Sequence, residues 1–325
     1  MTTAPAVAEA TPEREPNPGS AAVNAAVRSS LPTRAGQYGR VQAERLVKRL
    51  VWSRRLRAMV ESLPAGLEDA GAWVVDPEPT PAERALAQRV ESRRAQIAQA
   101  TGTISSYHSP MPGTFQRAAD GHAIPGPLLP HRAGAHAKTG SKPAKGILLN
   151  RIAIGIGAKR ILELGANTGL SGSYLAASPA CQQLVTIEGS PELAAVARQT
   201  LAQFTAGADV RAALFDDALD ELTEEPPFDL AFIDGQHEGA ATEYYCRRVL
   251  PLMNQQGGVV VFDDITWSQD MRQAWLNIVD SGSFALTVDF GRIGLGVLGV
   301  ERPGGHVDFP RYLGRGHVPQ RIGDS

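Results

Sequence analysis

Apolar and polar positions change rhythm several times along the chain, and each change marks a different kind of segment. Residues 1–35, rich in Ala, Pro, Glu, Ser and Asn, show no apolar period. They predict a disordered tail, because too little surface would be buried to offset the entropy of ordering. From Tyr38 to about Leu63, apolar residues at Val41, Leu46, Leu50, Val51, Leu56 and Val60 follow the spacing of an amphipathic helix. Its polar side is basic, with Arg40, Arg45, Lys48, Arg49, Arg54, Arg55 and Arg57. Thr80 and Pro81 predict the start of a second helix running to about Gln99, with Thr80 as cap and Pro81 in the first turn. From Thr101 to Lys145 the period is lost, which predicts a long loop of the kind that is usually functional or disordered.

Beyond Lys145 the texture becomes regular. A helix over Gly146 to about Gly157 is followed by strand-like runs near 160–164, 184–188, 209–214, 229–233, 257–262, 284–290 and 293–300. The first five alternate with helical stretches at Ser171–Ala177, Pro191–Thr205, Ala218–Leu222 and Ala240–Leu252. That is βαβ grammar, and it predicts an α/β fold with a mostly parallel sheet covered on both faces. The last two runs flank Gly291-Arg292 and predict an antiparallel hairpin at the sheet edge. The chain therefore divides into a tail (1–35), a helical region and long loop forming a substrate cap (36–144), an α/β domain (145–305) and a C-terminal tail (306–325).

Composition excludes more than it selects. Lys and Arg number 32 against 34 Asp and Glu, a net charge of −2, so the whole molecule has no general attraction to nucleic acid or anionic lipid. The basic helix lacks the aromatic interleaving of a base-stacking surface, so a solvated face is the expectation there. Cys181 and Cys246 have neither CxxC nor Cys/His spacing, which argues against a disulfide framework or a zinc knuckle. No apolar run approaches the roughly 20 residues that span a bilayer. The N-terminus has neither a basic start nor an apolar signal core, so a cytoplasmic protein without a membrane partner is expected. The oligomeric state is open, and a homodimer is compatible with the sequence.

The chemistry gathers at strand ends. Ile161-Leu162-Glu163-Leu164 runs into Gly165-Ala166-Asn167-Thr168-Gly169 and then a helix, with glycines where the backbone must turn sharply and let a ligand approach. The spacing is GxxxG rather than the GxGxxG of a dinucleotide turn, and Glu163 stands two residues before the first glycine. A carboxylate there suits the ammonium of S-adenosylmethionine (SAM), which has no pyrophosphate to seat. The second strand ends in Glu188-Gly189, 19 residues after Gly169, where ribose hydroxyls would lie. Asp217-Ala218 follows the third, with Asp217 placed to accept from an adenine amino group. The fourth and fifth strands end in Asp234-Gly235-Gln236-His237 and Asp263-Asp264. Adjacent strand ends share a crevice in such sheets, and three converging carboxylates need a proton or a cation. Oxygen ligands suit Mg²⁺, although Asp263 and Asp264 can share it only if the strand bends there.

These segments together resemble the successive motifs of class I SAM-dependent methyltransferases, over about residues 145–300. The resemblance implies a Rossmann-like seven-stranded sheet of order 3-2-1-4-5-7-6, with an N-terminal helical cap. It implies SAM across the strand ends, with Glu163, Gly165, Ala166, Asn167 and Gly169 around its methionine part. Glu188 and Gly189 would face the ribose, with Asp217, Ala218 and Asp234 completing the cofactor set. The acidic portion is similar to metal-dependent O-methyltransferases of the catechol, caffeoyl-CoA and macrolide-sugar types, which implies Mg²⁺ on Asp234, Asp263 and Asp264. It departs from the catechol pattern at His237, where a lysine is usual, and at Asp264, where an asparagine is usual. The stretch Phe262 to Trp275 resembles an uncharacterised bacterial branch of the class.

A hydroxyl nucleophile must lose its proton during transfer, and His237, three residues beyond Asp234, is the candidate base, with Asp234 as second candidate. Trp267 is a candidate substrate wall, and Trp275 is expected in the core. The loop from His108 to His136 is a candidate lid, with His108 toward the substrate. The expected reaction is O-methylation of a small hydroxylated molecule assisted by Mg²⁺. Metal-free transfer to nitrogen, carbon or a macromolecule, and a non-catalytic SAM-binding module, stand as alternatives.

Overall fold

The computed structural model describes residues 54–107, 116–119, 124–300 and 305–309. The chain divides after Arg54, and every element below belongs to the unit Arg55–Ser325. The expected tail 1–35 and most of the basic helix lie outside the described residues.

Residues 55–61, at the described end of the basic segment, are helical, and helices α1 (Glu68–Val75) and α2 (Pro81–Ala98) follow. The start of α2 is where Thr80-Pro81 predicts it. The Thr80 hydroxyl accepts from the Glu83 amide at 3.2 Å, and the Glu83 carboxylate accepts from the Thr80 amide at 2.7 Å, so two otherwise orphaned donors are satisfied. Glu83 also accepts both arms of Arg151, at 2.6 and 2.9 Å. Arg151 lies on α3 (Pro143–Gly155) and covers the ring of buried Trp73 from α1 at 4.8 Å. Trp73 Nε1 donates to the Ala144 carbonyl at 3.1 Å, so all three helices are fastened together.

The segment expected to be a loop contains a hairpin instead. Strands β1 (Thr103–Tyr107) and β2 (Leu128–Arg132) pair antiparallel, from Thr103 opposite Arg132 to Tyr107 opposite Leu128, and a 3₁₀ turn over Ala133–Lys138 follows. Its strands do not alternate, because β2 buries neither face fully, and alternation is the signal a half-buried strand would leave. Ser105 holds the hairpin to the domain: its carbonyl accepts from Ser190 Oγ, and its amide donates to Glu192 at 3.2 Å.

The main sheet contains β3 (Arg160–Leu164), β4 (Gln183–Glu188), β5 (Ala208–Ala212), β6 (Leu230–Ile233), β7 (Val259–Phe262), β8 (Leu286–Asp289), β9 (Gly294–Val297) and β10 (Gly305–Asp308). Their order is β10-β8-β9-β7-β6-β3-β4-β5. Counted from β3, the first seven run 3-2-1-4-5-7-6. Strands β3 to β7 are mutually parallel, and β9 enters antiparallel to both β7 and β8. The eighth strand was not expected. Residues 305–308, assigned by the sequence pattern to the domain end and tail, pair parallel with β8, so the β8–β9 hairpin is not the edge. The connecting helices are α4 (Leu170–Ala176), α5 (Pro191–Leu201), α6 (Phe215–Glu221), α7 (Gly239–Val249) and α8 (Gln269–Asp280). Every residue of β6 through β9 is buried, as continuous apolar strands covered on both faces require. Trp275 is in the core, as its place on α8 predicts. Among the described residues no helix is long and apolar enough to cross a membrane.

Candidate active site

The strand-to-helix turn after β3 passes through three residues of positive φ, Gly165 (+102°), Asn167 (+47°) and Gly169 (+81°). A side chain at Gly165 would meet a second obstacle, because its Cβ would lie 2.2 Å from the Asp234 carbonyl oxygen. Glycine there lets the end of β3 lie directly against the end of β6.

A cavity of about 550 Å³ opens over these strand ends. One side is formed by Gly165 and Asn167 after β3, Glu188 and Gly189 at β4, Leu214 and Phe215 before α6, and Asp234 to His237 after β6. The other is formed by Tyr107, His131, His136 and Thr139 from the hairpin and the 3₁₀ turn. Glu188 accepts from the amides of Asn167 at 2.8 Å and Ser190 at 2.9 Å, and burial raises its carboxyl above the usual range. Asn167 Oδ1 is buried with no hydrogen-bond partner, an acceptor that a bound donor would satisfy. Two acceptors and two glycine approaches on one wall fit the donors of a nucleoside and an ammonium, as SAM carries.

The remaining expected cofactor residues are placed differently. Glu163 is fully buried and accepts from Thr186 Oγ1 at 2.6 Å, and a Cβ at Gly172 of α4 would lie 2.8 Å from its carboxylate. It therefore faces α4 instead of the cavity, and burial pushes it up to about 7. Ala166 is buried and Gly169 backs onto Ala197, so both shape the turn from behind. Asp217 is exposed and lies off the cavity wall. The reason is that β5 stops at Ala212 and α6 begins at Phe215, earlier than predicted, which brings Leu214 and Phe215 to the wall and puts Ala218 in the core.

The acids meet as the topology requires, but a lysine stands among them. Lys145, in the first turn of α3, contacts Asp263 Oδ2 and lies 3.4 Å from Asp234 Oδ2. Burial opposes its charge, yet Asp234 and Asp263 outweigh this and raise its pKa above the ordinary lysine value. Asp263 is held low, Lys145 overcoming burial, whereas burial and the charge of Asp263 raise Asp234. The chain does bend at Asp264, at φ +49°, but its carboxylate turns to Arg292, accepting from Nε at 3.0 Å. The expected three-carboxylate Mg²⁺ set is thus not assembled, and no metal-holding group of His, Cys, Asp and Glu is found among the described residues. Arg292 engages one of its members and Lys145 lies between the other two, so the donors present do not fit the ion.

His237 lines the cavity with Nε2 3.6 Å from Asp234 Oδ1. Trp267 is 63% exposed and lies off the cavity wall, its ring 6.2 Å from that of His237. His108 lies outside the described residues. Sequence reasoning missed Lys145 and Tyr107, whereas His131 and His136 belong to the segment expected as a lid and do line the cavity. A signal existed for Lys145 alone: a lysine in a helix otherwise apolar enough to be buried needs a carboxylate partner.

Residues 162–265, about a third of the chain, match a protein-family profile described as "Methyltransferase domain". Over these residues the chain carries a methyltransferase domain. A comparison with curated proteins finds no match. Among solved structures, this methyltransferase is similar to an O-methyltransferase from Bacillus cereus in complex with SAH, with 21% identity, 70% of this chain and 95% of that chain covered, and a TM-score of 0.44. It is similar also to the O-methyltransferase TomG from Streptomyces achromogenes, involved in tomaymycin synthesis and in complex with SAM, with 24% identity, 49% and 81% covered, and a TM-score of 0.42.

Proposed function

We propose that the methyltransferase domain methylates an oxygen of a small hydroxylated acceptor, with His237 as general base. The observation that carries this reading is the single cavity reaching from Asn167 and Glu188 to His237 and the hairpin, so that a cofactor and an acceptor can share one space. Its volume is within the range of about 300–1,000 Å³ usual for small-ligand pockets. Bound SAM supplies the electrophilic methyl group. The chain's own contribution is to hold the acceptor oxygen in line with that carbon, an effect of up to about 7–11 kcal/mol in favourable cases. As the carbon–oxygen bond forms and the carbon–sulfur bond breaks, the hydroxyl proton passes to His237. The imidazolium so formed faces Asp234, whose ionisation its charge favours. A positioned base of this kind contributes about 10²–10⁴-fold.

Asn167 and Glu188 are the residues proposed to hold the cofactor, through its amino and ribose hydroxyl groups. Calorimetry with SAM, SAH and NAD side by side tests the cofactor assignment. SAM and SAH should bind and NAD should not; binding of NAD without SAM would end the reading. With an acceptor found by screening small phenols and alcohols, His237→Ala should lower kcat by about 10²–10⁴-fold and leave SAM affinity unchanged. Undiminished turnover would remove His237 as the base, and methylated amines among the products would replace oxygen with nitrogen as the target.

A further inference from the structure

The strand ends of β6 and β7 present two carboxylates that face one another, Asp234 and Asp263, and the side chain of Asp263 is only 2% exposed. Such a pair needs a shared proton or a positive charge beside it. In this chain that charge is covalently attached. We propose that the ammonium of Lys145 is the resident cation of the Asp234/Asp263 pair, occupying the volume a divalent metal would need, so that the site excludes such metals.

Three observations converge on this assignment. The first is position: a Mg²⁺ ion binding both carboxylates must sit about 2.0–2.1 Å from their oxygens, in the space between them where Nζ lies. The second is anchorage. Lys145 cannot drift from this place with its helix, because α3 is held at neighbouring positions. Trp73 donates to the Ala144 carbonyl, Asn150 Nδ2 donates to the Tyr174 carbonyl at 2.8 Å, and Gly146 abuts the Tyr174 ring so closely that a Cβ would lie 2.3 Å from it. The aliphatic stem reaches inward, and Nζ lies 5.8 Å from the centre of the Phe232 ring. The third is the neighbouring acid: Asp264, the remaining candidate ligand, has its own cation in Arg292. Lys145 is on this account a positioning residue, acting on the acceptor through Asp234, which does line the cavity.

This inference rests on the proposed function only for its bearing on turnover; the exclusion of metal is a property of the strand ends themselves. Mn²⁺ is the probe, titrated into the full chain and followed by the loss of its free-ion paramagnetic resonance signal. The wild-type chain should leave Mn²⁺ free at equimolar and tenfold excess. Lys145→Ala should take up about one Mn²⁺ per chain, and the double variant Lys145→Ala with Asp263→Asn should lose it again. Uptake of one Mn²⁺ by the wild-type chain, abolished by Asp263→Asn, would overturn the proposal. So would a folded Lys145→Ala that gains no Mn²⁺, since the carboxylates would then not be arranged around a cation's place. Should Lys145→Ala fail to fold, Lys145→Met keeps the stem and answers the same question. Calorimetric SAM binding by the wild-type chain, measured with and without EDTA, separates the two claims. A chain that excludes Mn²⁺ but does not bind SAM refutes the proposed function alone, whereas SAM affinity lost on chelation refutes the exclusion of metal.

Discussion

Glu163 shows how a residue of the right type at the right sequence position can serve the site from behind it. Its carboxyl, raised to about 7 from an ordinary 4.5, takes a proton in the folded chain before it does in the unfolded one. Below about pH 4.5 both states are protonated and the folded chain keeps its full advantage. As pH rises through the window from 4.5 to about 7 that advantage is lost, amounting to about 3 kcal/mol as an order of magnitude. Glu163→Gln preserves an acceptor for Thr186 and should flatten this dependence. Urea unfolding at pH 5 and pH 8 measures it, and a variant with the wild-type difference between the two would contradict the account. The sequence reveals that an acid must precede Gly165, because the pattern is read along one strand. It does not reveal which way the side chain turns, since that depends on Gly172 and Thr186, which arrive from α4 and β4. Asp217 is the reverse case. A shift of the helix start to Phe215 carried a correctly typed residue off the cavity wall.

Among the elements, legibility follows periodicity. The helix α2 announces itself by Thr80, Pro81 and Glu83, and the structure contains the full reciprocal cap. Thr80→Ala should therefore cost about 1 kcal/mol of stability, with Thr80→Ser costing less, as read from the denaturant midpoint. A midpoint unchanged by Thr80→Ala would mean that the cap adds nothing beyond the pairing of Glu83 with Arg151. The buried parallel strands were equally legible, because runs such as Val259-Val260-Val261-Phe262 admit few other readings. The β1–β2 hairpin was not, since β2 is largely exposed and its sequence carries Pro130 and no alternation. The form of half the cavity wall therefore stayed hidden, although the segment carrying His131 and His136 was legible as a lid. What fixes that wall is tertiary: Arg94 of α2 donates to the Ala137 carbonyl at 2.6 Å and also to that of Ser141, holding the end of the 3₁₀ turn and the segment that follows it.

For the whole molecule, the sheet is one strand wider than its sequence pattern suggests. Gly305-His306-Val307-Asp308 contains a single large apolar residue, too little to signal a strand, and its pairing with β8 becomes visible only in three dimensions. Phe309, directly after it, is fully buried with its ring 5.0 Å from that of Phe290. Phe309→Ala should cost about 3–5 kcal/mol, the range for an aromatic removed from a packed core. Equilibrium unfolding checks this, and a cost under 1 kcal/mol would mean that the eighth strand is an ornament to the sheet. The contact between Gly165 and the Asp234 carbonyl reaches furthest. Because the turn that faces the cofactor presses against the backbone of the acid that faces the acceptor, the two halves of the reaction share a mechanical part. Neither can be retuned alone: a lineage that reshapes the turn to change its hold on the cofactor also shifts Asp234, so mutations at the two places are expected to be inherited as a set.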